Sequence, residues 1–155
     1  MKALQTILKT DSTVSTLLLR LTLGVVMFPH GAQKVLGWFG GGGLSNTLGF
    51  FTGQLQIPLV FALLAIAAEF AGSIGLILGV FTRVAAFGIG ATMLVAIFMG
   101  HFDNGFFMNW SGTQAGEGFE YHLLAIGLAA ALVLKGGGKG SLDSYLADKL
   151  TKSKS

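Results

Sequence analysis

Four long apolar stretches, each broken by only a few ionisable residues, decide what this chain can become. They run from about Leu17 to Trp38, Ile57 to Phe81, Val84 to Met99 and Phe119 to Leu134. At about 1.5 Å per helical residue, such runs match or approach a hydrocarbon core roughly 30 Å thick. Only 11% of the residues are charged while 52% are hydrophobic, too few charges to clothe a water-facing surface. The expected fold is therefore all-α: a bundle of four transmembrane helices over residues 17–135. An amino-terminal arm, residues 1–16, precedes it, and a basic tail, residues 136–155, follows.

The punctuation between the runs supports this division. Ser12, Thr13 or Ser15 offers a cap for the first helix. The arm lacks the order of a signal peptide and is expected to stay on the protein. Gly40 to Gly43 reads as a hinge, since neither a GK[ST] sequence nor a preceding strand makes it a phosphate loop. Leu44 to Gln56 suits a short interfacial helix, and Pro58 sits where the second run starts. Thr82 and Arg83 form a tight turn that makes the second and third runs antiparallel neighbours.

Charge placement sets an orientation. Lys2, Lys9, Arg20, Arg83 and the five tail lysines gather on one side, whereas the long segments 37–56 and 102–118 hold no Lys or Arg. The positive-inside rule then puts both termini in the cytoplasm and the long loops outside. The formal charge of +3 comes from these end-loaded basic residues and gives no reason to expect nucleic acid as a partner. Trp38, Trp110 and the loop phenylalanines suit the membrane–water boundary. Cysteine is absent, which excludes disulfides, thiol nucleophiles and Cys-ligated metal centres.

Ionisable residues inside a span are costly and face the bundle interior. On a helical wheel Arg20, Gly24, Met27, His30, Gly31 and Lys34 share one side of the first helix. Glu69 shares a face of the second with Ala62, Ala65, Gly72 and Ser73. A carboxylate at that depth needs a cationic partner or becomes neutral, and Lys34, His30 and Arg20 are the candidates. His101 closes the third run, and Glu120 and His122 open the fourth, on the same side of the membrane. His30, Lys34, Glu69, His101, Glu120 and His122 are thus expected to converge in the outer half of the bundle. Arg20 is expected at the inner interface, snorkelling to phosphate. Three histidines with Glu69 or Glu120 are of ligand type. Yet no HxxxH or HxxE spacing occurs within one helix and Lys34 would repel a cation, so no metal is expected.

These residues carry a family resemblance. Arg20 with Gly24, the His30-Gly31-Ala32-Gln33-Lys34 segment, Glu69 with Gly72 and Gly75, and the Gly79-Val80-Phe81-Thr82-Arg83 turn resemble the DoxX family of small bacterial inner-membrane proteins. Gly118-Phe119-Glu120 and Lys135-Gly136-Gly137-Gly138 extend the similarity over roughly Val14 to Asp143. The resemblance implies a four-helix membrane fold and a redox connection, because the family is named for a relative of a subunit of thiosulfate:quinone oxidoreductase. The expectation is a quinone-linked component that works with a soluble oxidoreductase. His30 and Lys34 would meet a quinone carbonyl, with Glu69, His101 and Glu120 as proton partners; His122 and the minority reading of Arg20, as a headgroup clamp, complete the cofactor set. The alternative is a non-enzymatic binding or assembly partner of a redox or stress-response complex. A solute carrier is the weakest reading, since it would call for a homo-oligomer.

Overall fold

The computed structural model describes residues 2–152, and all regular structure among them is helical. Met1 and the last three residues, including the tail lysine Lys154, lie outside the described residues. Helix α1, Lys2–Leu8, leads to α2, Val14–Leu36; a short α3, Gly43–Gly49, follows and runs into a π-helical turn, Phe50–Gln54. Then come α4, Leu59–Leu78, and α5, Thr82–Ala96, which continues through a second π-helical turn, Ile97–His101. Helix α6, Glu120–Lys135, and α7, Leu142–Lys152, complete the order.

Three segments are long and apolar enough to cross a bilayer: Val14–Leu36, Leu59–Leu78 and Thr82–Asn104. This is a multi-pass membrane protein. The fourth expected span, α6, is shorter at 16 residues and is not among the three. It nonetheless packs along α5 and touches α2, while α2 lies along α4 and α4 along α5. The core shared by these four helices is built from Leu23, Met27, Leu76, Ile89, Met93 and Leu132. Their outer faces expose Phe61, Leu64, Phe87, Phe98 and Leu124, the reverse of a water-soluble bundle.

Small residues let the helices approach. A methyl group on Gly31 would sit 2.5 Å from the Cα of Phe70, so α2 and α4 meet backbone to backbone at this level. The close approach lies one residue from Glu69.

The turn between α4 and α5 differs from expectation. It comprises Gly79 to Phe81, and Thr82 and Arg83 already belong to α5. Gly79 ends α4 at φ 71°, a left-handed conformation that glycine adopts without steric cost. Capping explains the shift. The Asp143 carboxylate, from the start of α7, accepts the Phe81 and Thr82 backbone N–H groups at 2.7 and 2.9 Å. A distant residue thus caps α5, and no local sequence signal reveals it.

Arg20 requires a second correction. It does not snorkel to the inner interface, being only 1% exposed. Its Nε donates to the Gly137 carbonyl at 2.7 Å, and one terminal nitrogen donates to Leu76 O at 2.7 Å and Ile77 O at 2.8 Å. The last carbonyls of a helix lack i+4 donors; Leu76 O receives only the capping Gly79 N–H at 3.2 Å, and the guanidinium adds a donor there and supplies one at Ile77. The arm and tail are also more ordered than expected. Helices α1 and α7 touch, the Asp11 N–H donates to Lys135 O, and Arg83 bonds the Lys9 and Val133 carbonyls. Both described ends therefore gather beside the α4–α5 turn.

Arg20→Ala removes the side-chain donor from the Leu76, Ile77 and Gly137 carbonyls, and an unanswered buried carbonyl costs about 1–3 kcal/mol. The variant should lose several degrees of thermal stability in detergent, and Arg20→Lys should recover only part of it, because an ammonium cannot reproduce the planar fork. Thermal unfolding followed by circular dichroism checks both.

Candidate functional site

At the opposite end of the bundle the helices enclose a cavity of about 520 Å³. Its chemistry comes from four directions. The last turns of α2 bring His30 and Lys34, α4 brings Glu69, the π-helical end of α5 brings His101, and the first turn of α6 brings Tyr121 and His122. Phe50, Phe51, Leu55 and Ile57, from the segment between α3 and α4, close one side. Most of the wall is apolar.

Lys34 and Glu69 form the central ion pair, with Nζ 2.5 Å from Oε2. Glu69 is 3% exposed and Lys34 half-buried. Lys34 also donates to the His30 carbonyl one turn earlier, at 3.4 Å. Of the three cationic partners weighed for Glu69, the structure selects Lys34. Removing one member of such a pair strands the other charge in a poorly solvated place.

The remaining polar groups form a row of rings. The His30 and Tyr121 centroids are 6.0 Å apart, Tyr121 and His122 5.7 Å, and His122 and His101 4.1 Å. His101 Nδ1 lies 2.9 Å from the Glu117 carbonyl, which fixes the orientation of that ring. His122 is 6% exposed, and its Nδ1 has no hydrogen-bond partner. Among the described residues no three His, Asp or Glu side chains gather as a metal-holding group.

The structure thus brings together His30, Lys34, Glu69, His101 and His122, and leaves out two residues that the sequence had suggested. Arg20 lies at the other end of the bundle, engaged by carbonyls. Glu120 lies outside the cavity wall; its Oε1 accepts the Met108 N–H at 2.9 Å and so ties down the 102–118 loop. The reason is helical phase. The buried face of α6 carries His122, Ala125, Ala129 and Leu132, and Glu120 stands about 200° from His122 on a 100° wheel.

Sequence reasoning missed Tyr121, whose hydroxyl donates to Met27 Sδ at 3.4 Å. It also gave no role to Glu117, whose carboxylate accepts the Asn109 N–H at 2.6 Å and which lines the cavity. Loop 102–118 folds over this end: Gly118 and Phe119 donate to the Phe107 and Gly105 carbonyls, and the Phe106 and Phe102 rings pack on Phe119.

A helical membrane bundle with a mostly apolar cavity at one end, lined by a few ionisable side chains, is the class these features define. The DoxX family model matches residues 15–102, from the first turn of α2 to the end of α5. The chain belongs to the DoxX family. Comparison with the curated proteins and with the solved structures returned no match.

The coupling of Lys34 and Glu69 is measurable. Glu69→Gln alone should destabilise the protein by about 3–5 kcal/mol, as breaking a buried pair does. The double variant Lys34→Met/Glu69→Gln should be the more stable of the two, since no unpaired charge remains. Reversible unfolding of wild type, both single variants and the double variant closes the cycle.

Proposed function

We propose that this protein is a four-span inner-membrane redox component whose cavity takes the flat ring of a quinone, reduced by electrons from a soluble oxidoreductase partner. The observation that carries the reading is a mostly apolar cavity of about 520 Å³ in which His30, Lys34, Glu69 and Tyr121 meet. That volume lies within the range of ordinary small-molecule sites, roughly 300–1,000 Å³. Apolar walls suit a lipophilic ring that arrives from the bilayer, and the few donors suit its carbonyls.

On this reading Lys34 and His30 donate to one quinone carbonyl. Reduction of a quinone to a quinol consumes two electrons and two protons. The partner enzyme supplies the electrons. Glu69, hydrogen-bonded to Lys34, and the imidazoles of His30 and His101 supply proton-carrying groups beside the ring. Tyr121 lies between the two imidazole positions and serves as a further donor.

The topology belongs to the same proposal. Helix α6 is the fourth span; its 16 residues reach about 24 Å, and its amino end is extended by the packed 102–118 loop. Lys9, Arg83, Lys135 and Lys149 lie at the end that holds α1 and α7, which supports, by the positive-inside rule, a cytoplasmic position for that end and a periplasmic one for the cavity.

Purified protein in lipid nanodiscs should bind a short-chain ubiquinone or menaquinone analogue, and Glu69→Gln and Lys34→Met should each weaken binding at least tenfold. Wild-type protein that binds neither analogue removes the proposal; a soluble partner that co-purifies without any quinone binding would favour the assembly role. Because the chain has no native cysteine, topology is tested directly. Ser111→Cys should react with an impermeant maleimide added outside spheroplasts, and Asp148→Cys only after lysis.

A further inference from the structure

Every histidine in the chain and every methionine after Met1 line the same cavity. His30, His101 and His122 do so from three helices, and Met27, Met93, Met99 and Met108 from two helices, a π-helical turn and the loop. The wall holds only twenty of the 155 residues, so the concentration of thioether and imidazole is not what packing alone would give. Met27 and Met93 do fill core space, but Met99 is exposed and Met108 sits in a loop, where a gap-filling side chain has no purpose.

We propose that the end of the cavity around His101 and His122 binds a soft monovalent cation of the Cu(I) class, with Met27 and the neighbouring thioethers as sulfur donors. Three observations converge on it. The two imidazoles lie with centroids 4.1 Å apart, near enough to share one ion. The contact between His101 Nδ1 and the Glu117 carbonyl places the proton on Nδ1 and leaves Nε2 a free lone pair, as in histidine ligands held by an outer-shell acceptor. His122, buried beside it, has an Nδ1 without any partner, a nitrogen that coordination through this ring would employ. The Tyr121 hydroxyl meanwhile holds the Met27 sulfur beside the first turn of α6, where His122 stands.

Charge and softness select the ion. The charged groups on the wall are Lys34, Glu69 and Glu117. Lys34 is neutralised by Glu69, which removes the repulsion expected from the sequence and leaves Glu117 as a single counter-charge. Glu117 is exposed and already accepts the Asn109 N–H, so the wall offers little buried negative charge and disfavours a divalent ion more than a monovalent one. The described residues gather no trio of His, Asp or Glu, so Zn(II) and other borderline ions lack a donor set, whereas thioethers favour Cu(I).

The inference shares His101 with the quinone reading but takes no donor from the Lys34–Glu69 pair, so Cu(I) retention without quinone binding, or the reverse, separates the two. Detergent-purified protein should be titrated anaerobically with Cu(I) against a chromogenic Cu(I) chelator, and separately with Ag(I). About one ion per chain is expected, with sulfur and nitrogen scatterers in the copper X-ray absorption spectrum. His101→Phe and Met27→Leu should each weaken retention by about tenfold or more, while Asp148→Asn, in α7 at the opposite end of the bundle, should leave it unchanged. The methionine replacement conserves volume, so it carries the test if the histidine variant fails to fold. Wild-type protein that retains no Cu(I) or Ag(I), equal retention of Zn(II), or wild-type affinity in a folded His101→Phe or Met27→Leu variant would each overturn the proposal.

Discussion

Helix α4 ends inside the protein, and its last carbonyls must find donors there. In a membrane bundle no solvent reaches such a place, and an unanswered backbone carbonyl costs more than most side-chain contacts return. Arg20 answers it. Its guanidinium joins the end of α4 to the Gly137 carbonyl beyond α6, so one side chain of α2 fastens three parts of the chain at once. Asp143 does the complementary work at the start of α5, accepting the first backbone N–H groups of that helix. A cation at a helix carboxyl end and an anion at a helix amino end both agree with the helix dipoles.

This fastening explains why the two ends of the bundle differ. At one end α1, α7, the α4–α5 turn and the segment after α6 are tied by backbone and charged contacts. At the other the helices need not meet closely, and the segment 50–57 and the 102–118 loop roof a cavity instead of a packed core. The site is therefore a consequence of where the tight packing was placed. The Lys34–Glu69 pair stands at the border between the two regimes, next to the backbone contact of α2 with α4.

Much of this was readable in the sequence, because apolar length and helical phase are properties of local chain. Three of the expected spans, the stripe of Arg20, Gly24, Met27 and Gly31, and the pairing of Glu69 with a basic residue of α2 all follow from them. What escaped depends on contacts between distant segments. Arg20 looks like an interface residue because its sequence position is near a helix end; its partners are carbonyls, which leave no trace in the side-chain pattern. Asp143 looks like a tail residue for the same reason. Glu120 differs, since its phase relative to His122 is readable in the sequence and already turns it away from the cavity face.

Gly31 has a consequence of its own. It sets the gap between two helix axes at the very level where the Lys34–Glu69 pair faces the ligand space, and it does so through a hydrogen where any other residue would place carbon. Relatives that carry a bulkier residue there would be wedged apart at this point, and the chamber beyond would widen as a pair of tongs opens from its hinge. One atom's width beside His30 thereby sets how wide the cavity stands.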